Sequence, residues 1–378
     1  MRAFFMIALS GCFALNSFAQ TWTQTSAPLI NWGGIAMSAD GMKIVAVAGS
    51  GAAGTIYTST NSGATWISND APQLTWVAVC SSADGTRLAA NVSNGGAWTN
   101  SGTTWKRTPC PATSFSPSSI ASSADGNTLL AGGFPTYLST NRGNSWRTLP
   151  FSPPTGADGE GTAMSADATT MLLNGDPYLS TNSGASWFIA TNSQTEMRAA
   201  AASVDGVKLY AMGDSGVWAS LNHGASWFKE TNAPPSSFGG IASSADGTHL
   251  VLARRQLVQP LYVSTNSGFN WTVANVPSND WNVVASSADG NTLAAAINGG
   301  GIWIGRDVPS PQLNLQSAGS QLLVSWTVPS TNFVLQSSAD LFAWTDLTNE
   351  PVLNLTNLQE QVSLQPSNDA GFYRLTTP

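Results

Sequence analysis

Charge is what this chain has least of. Its 378 residues carry 14 Lys and Arg against 21 Asp and Glu, so charged side chains make up 9% and the net charge is −7. Soluble domains carry about a quarter. Cations this few and scattered cannot line a phosphate backbone, so no nucleic-acid partner is expected. Three cysteines and two histidines, His223 and His249, are too few for a Cys/His centre; no metal and no cofactor is expected. No Ser-His-Asp set, phosphate loop or dinucleotide fingerprint occurs. Beyond the first twenty residues no apolar run could cross a bilayer, so no transmembrane segment is expected. Disorder is excluded too, because 42% hydrophobic residues can fill a core.

The first nineteen residues read as a secretory leader. Arg2 precedes an apolar run over residues 3–15, and Ser17-Phe18-Ala19 suits cleavage before Gln20. A competing lipobox, Leu9-Ser10-Gly11-Cys12, would instead leave an acylated Cys12 at the mature terminus. The apolar run continues past Cys12 through Leu15, which favours ordinary secretion. A secreted or cell-surface protein is expected. Of the later cysteines, Cys80 occupies a position where six equivalent segments have Ala, so it reads as a small buried filler, and Cys110 as a second free thiol.

What the chain has in abundance is repetition. A motif close to Ser-Ala-Asp-Gly recurs about every forty residues, with its Asp at 40, 84, 125, 167, 205, 246 and 289; Ala168 replaces Gly after Asp167. Between copies runs a second string ending in Trp, as in Ser59-Thr60-Asn61-Ser62-Gly63-Ala64-Thr65-Trp66. Short β-branched runs between Asp-Gly and Asn-Gly turns at this period predict an all-β fold, a β-propeller with four strands, a to d, in each blade. Seven turns imply seven blades. Complete strings end at Trp66, Trp146, Trp187, Trp227 and Trp271, with a shortened copy at Trp105; the missing one is supplied by Thr21-Trp22-Thr23-Gln24. The N-terminal strand is therefore expected to complete the last blade and close the ring.

The Trp-ending string resembles the Asp-box, or BNR repeat, of sialidase-like propellers, Ser-x-Asp-x-Gly-x-x-Trp, over residues 21 to 307. Here Asn61, Asn100, Asn141, Asn182, Asn222 and Asn266 stand where the family has Asp. The resemblance implies a structural c–d turn away from the active face, with its Trp packed between strands. Photosystem II assembly factors, sortilin-type receptors and xyloglucanases share such propellers, but none contributes a motif that can be placed residue by residue. A sialidase activity is not expected, because the Arg triad and Tyr–Glu pair of those enzymes have no counterpart.

Residues 308–311 read as a linker, and residues 312–378 as a small β-sandwich. Its alternating segments are similar to immunoglobulin- or fibronectin-like modules of secreted bacterial proteins. Function is expected on the b–c and d–a loops, which share one face of the propeller. Four aromatic residues stand eight positions before a repeat Asp: Trp32, Trp76, Phe238 and Trp281. They predict either a platform for a glycan or peptide or plugs at the channel mouth. Across the ring, Glu160 and Glu196 lie among Asp158, Asp176, Arg198 and Asp214, and are the candidates for acid and base in an alternative glycoside hydrolase. The favoured reading is a non-catalytic binding or scaffolding monomer; a purely structural surface protein is a third.

Overall fold

The computed structural model describes residues 20–49, 53–101, 104–111, 116–149, 161–173, 178–190, 197–213, 216–235, 239–255, 258–307, 313–318, 321–327, 334–340, 343–348, 352–354, 359–364 and 371–376. The described residues fall into two compact units, divided between Asp307 and Val308. All regular structure in them is β.

The larger unit holds seven four-stranded antiparallel sheets. The first runs Trp32–Met37, Ile44–Ala48, Ile56–Ser59 and Ile67–Ser68. The inner strands of the next six are Trp76–Ser81, Ser116–Ser122, Thr162–Met164, Met197–Ala202, Ile241–Ser243 and Trp281–Ser286. The seventh sheet takes its outer strand from the other end of the unit. Gln20–Gln24 pairs antiparallel with Ile302–Asp307, Trp22 facing Gly305, as the repeat pattern predicts. The two ends are thereby joined, and strand Ile302–Asp307 is left without a free edge.

The repeated turn explains how the sheets are held in a circle. In each copy the Ser hydroxyl donates to the Asp carboxylate at 2.5–2.7 Å. The Asp oxygen in turn accepts the N–H two residues on, which fixes the reversal. The residue between them is then presented edge-on to the next sheet. Ala39 donates its N–H to Ala83, Ala83 to Ala124, Ala124 to Ala166, Ala166 to Val204, Val204 to Ala245, Ala245 to Ala288, and Ala288 back to Ala39, all at 2.7–2.9 Å. Seven backbone hydrogen bonds make one closed circle.

Apolar clusters fill the seams between neighbouring sheets. One joins Ile44, Ala46 and Ala48 of the first sheet to Ala294, Ala296, Ile302 and Ile304 of the seventh. Small residues on the inner strands let the sheets converge; Gly33 and Gly34 lie against the backbone of Trp76–Val79. The Trp-ending strings form c–d turns held by their Asn carboxamides. Asn182 Oδ1 accepts from Ser180 Oγ and Ser186 N, while its Nδ2 donates to Ser186 Oγ. The turn is pinned to the a–b turn of its own sheet by Ser183 N on Thr169 O, and four other sheets repeat this bond. Both turn types therefore share one face, and the b–c and d–a loops share the other.

In the smaller unit, one sheet orders strands Asn314–Ala318, Gln321–Thr327, Gln359–Leu364 and Val352–Asn354, and a second orders Thr345–Asp346, Val334–Ser338 and Phe372–Thr376. Val324, Trp326, Val362 and Leu364 of the first and Leu335 of the second share one apolar core.

Candidate functional site

On the loop face a cleft of about 520 Å³ opens between the first and seventh sheets. Its walls are Leu29, Ile30 and Asn31 of one d–a loop, Gln73 of the next, Gly49 and Ala53–Thr55 of the first b–c loop, and Gly299 of the seventh sheet's b–c loop. Tyr57, at the start of strand c, completes it. Backbone pairing holds these walls in place. Ile30 N donates to Gly300 O at 3.2 Å, Gly49 N to Asn31 O at 3.2 Å, and Gly54 and Leu74 exchange bonds at 2.9 and 3.0 Å.

Its chemistry is neutral. Among the described residues Tyr57 is the one titratable side chain in its lining, beside the carboxamides of Asn31 and Gln73 and the exposed apolar Leu29. Such a lining offers hydrogen bonds and apolar surface.

The aromatic residues picked from the sequence have another place. Trp32, Trp76 and Trp281 are fully buried, so none presents a ring face to a ligand. Each wedges a seam between sheets: Trp32 between the seventh and first, Trp76 between the first and second, Trp281 between the sixth and seventh. The cause is a β-bulge at the start of the inner strand. Trp32 faces Ala48 and Gly34 faces Val47, leaving Gly33 as the extra residue; the same slip follows Trp76 and Trp281. The rings support the loop face from beneath. Trp32 Nε1 donates to Gly300 O at 2.9 Å, and its ring meets Tyr57 edge-on at 5.5 Å. Trp76 Nε1 donates to Pro72 O at 3.2 Å, at the foot of the adjoining d–a loop. Phe238, Glu160 and Glu196 lie outside the described residues, as do Asp158, Asp176, Asp214 and the leader with Cys12.

Tyr57, Leu29, Asn31 and Gln73 were not singled out by the sequence. The signal was present in the first b–c loop, which spans 49–55 and is rich in Gly and Ala, where the second sheet turns within 93–95. Cys80 and Cys110 are both free and buried, in line with Cys80 standing where the other repeats have Ala; burial pushes their thiols up to about 12 and about 11, which disfavours the reactive thiolate. Among the described residues no group of three or more His, Cys, Asp or Glu could hold a metal ion, and no helix is long and apolar enough to cross a membrane.

No family model and no curated protein matches the chain. Solved structures do. It is similar to YCF48 bound to D1 peptide, with a TM-score of 0.56 at 14% identity, over 77% of this chain and 97% of that one. It is also similar to YCF48 from Cyanidioschyzon merolae, with a TM-score of 0.55 at 14% identity, over 75% and 98%. The fold is a β-propeller. At that identity the likeness shows the propeller fold alone.

Proposed function

We propose that this is an exported, seven-bladed propeller that holds a peptide segment at its loop face without transforming it. The observation that carries this reading is the neutral cleft walled by Leu29, Asn31, Tyr57 and Gln73. Backbone-rich walls, two carboxamides and one exposed aliphatic side chain suit the alternating amides and side chains of an extended peptide. A glycan ligand is the weaker candidate, since sugar faces stack on open aromatic rings and Tyr57 is half-buried against Trp32. The solved propeller described as bound to D1 peptide lends the peptide reading further support. Seven sheets, seven circular backbone bonds and the closing strand Gln20–Gln24 favour the seven-bladed count. The leader before Gln20 favours export, and the two sheets with a common core after residue 312 favour an immunoglobulin-like sandwich serving as spacer or attachment module.

The test is a paired peptide and glycan array probed with the wild-type chain, Tyr57→Ala and Leu29→Asp. Peptide binding should fall about ten-fold or more in each variant, corresponding to about 1.4 kcal/mol. It should change little with salt, because no charged side chain lines the cleft. Peptides bound equally by both variants would remove the cleft from consideration. Turnover of a polysaccharide or sialoside, abolished by Glu160→Gln, would replace binding by hydrolysis.

A further inference from the structure

Glu230 is a buried carboxyl for which the proposed function has no use. It ends the outer strand of the fifth sheet, just after Phe228–Lys229, and is 6% exposed. One oxygen, Oε2, accepts the indole N–H of Trp271 in the sixth sheet at 3.0 Å; Oε1 has no hydrogen-bond partner among the described residues. The carboxyl fits there because Gly268, at φ 88° in the next c–d turn, has no side chain to occupy the space. Three residues after the box Trp, the other strands d carry Thr25, Asn69, Thr108, Leu149, Ala190 and Ala274, none ionisable. Thr108 shows the neutral solution: its hydroxyl takes the Trp146 indole N–H at 3.1 Å and donates to Ala97 O.

Among the described residues the seam around Glu230 offers its charge a single donor. In the fifth sheet the Lys208 ammonium is on Ser267 Oγ at 3.0 Å, and the Tyr210 phenol donates to Gly247 O at 2.7 Å. From the sixth sheet come Asp246, Ser267, Gly268 and Trp271, of which Asp246 adds a second negative charge near Tyr210. A neutral carboxylic acid accepts the one indole donor and brings no charge into the seam; a carboxylate needs several donors and finds one.

We propose that Glu230 is a proton-operated catch between the fifth and sixth sheets, closed when protonated and loosened when ionised. Ionisation strengthens the indole bond itself, but it places a charge in a seam that offers only this one donor, so water enters at Oε1 or the side chain turns outward and the seam opens. The same seam carries Asn232 Nδ2 on Phe269 O at 3.1 Å and the Phe228–Phe269 stack at 6.2 Å, so these loosen with it. Burial pushes the Glu230 carboxyl up to about 7, with the Trp271 hydrogen bond offsetting part of the rise. The group holds its proton in the folded chain where the unfolded chain, at 4.5, has lost it. Its contribution is therefore complete below that value and is lost as pH rises through about 7.

Amide hydrogen exchange on the full chain tests this between about pH 5 and 8, corrected for the intrinsic exchange rate. In the wild type, protection of residues 228–232 and 264–273 should drop about ten-fold or more across that interval, with the other seams unchanged. In Glu230→Gln, and in Glu230→Thr, which copies the Thr108 arrangement of the second sheet, the profile should be flat. Both histidines stay in every variant, so the difference between profiles reads Glu230 alone. If Glu230→Gln does not fold, Glu230→Thr carries the comparison. Variants whose protection falls with pH as the wild type's does, or a loss shared by all seven seams, would overturn the catch.

Discussion

Trp76 and Trp281 show what a single residue does in this molecule. Each is fully enclosed by two sheets, Trp76 by Val45, Val47, Ile56, Val92 and Trp105, Trp281 by Val251, Leu261, Leu293 and Ala295. Removing a buried indole loses its transfer energy and leaves a cavity that a close-packed β seam cannot collapse to fill. Trp76→Ala and Trp281→Ala should each cost about 3–5 kcal/mol in urea unfolding. A cost below about 1 kcal/mol together with lost ligand binding would make them contact residues after all. Their positions were legible in the sequence, eight residues before each repeat Asp, but their burial was not. Burial follows from the bulge after each Trp, and the extra residues there, Gly33, Val77 and Asn282, share no side-chain chemistry that would announce it.

The four-stranded sheet is the element on which the sequence was most informative, because seven imperfect copies reinforce one pattern. Even the split seventh sheet was readable, through Thr21-Trp22-Thr23-Gln24 standing in for a missing copy. The circle of backbone bonds from Ala39 to Ala288 was not readable, since backbone donors carry no letter; only the small residue between Ser and Asp hints at close approach. The cleft was missed for a related reason, being made by loop backbone more than by distinctive side chains. Strand Gln20–Gln24 tests the element directly. Its five register pairs cover the edge of Ile302–Asp307, and the Trp22 ring lies against Gly305. Deleting residues 20–24 should expose that edge, lower the melting temperature of the larger unit by roughly 10 °C or more, and promote self-association. Deleting 308–378 removes a unit with its own core and should leave that transition within a few degrees. Equal melting of the first deletion and the wild type would mean that the ring does not depend on its closing strand.

At the scale of the whole molecule the two kinds of carboxyl pull stability in opposite directions with pH. All seven turn Asp side chains are exposed, and all seven lie below the ordinary carboxylate value. For Asp40, Asp84, Asp125 and Asp205 the Ser hydroxyl is the chief cause, followed by the backbone N–H; for Asp167 that order reverses. For Asp246 partial burial works against the shift, and the bonds from Ser244 and Thr248 outweigh it, bringing the group to about 2. A depressed folded value means these turns contribute their stability above the unfolded value of 3.8 and lose it as pH falls through the folded value. Glu230, raised to about 7, does the reverse, contributing fully below 4.5 and losing its share as pH rises. Because the seven turns also carry the circle of backbone bonds, the acid limb should be steep and cooperative. Melting temperature followed from pH 2 to 9 should therefore peak near about pH 4–5, fall steeply on the acid side and decline gently towards neutrality. Glu230→Gln should flatten the gentle limb alone, and Asp246→Asn should blunt only the acid one. A melting temperature that climbs steadily from pH 5 to 8 would show that Glu230 does not govern the neutral limb, and one unchanged from pH 5 to 2 that the turn carboxylates do not govern the acid one.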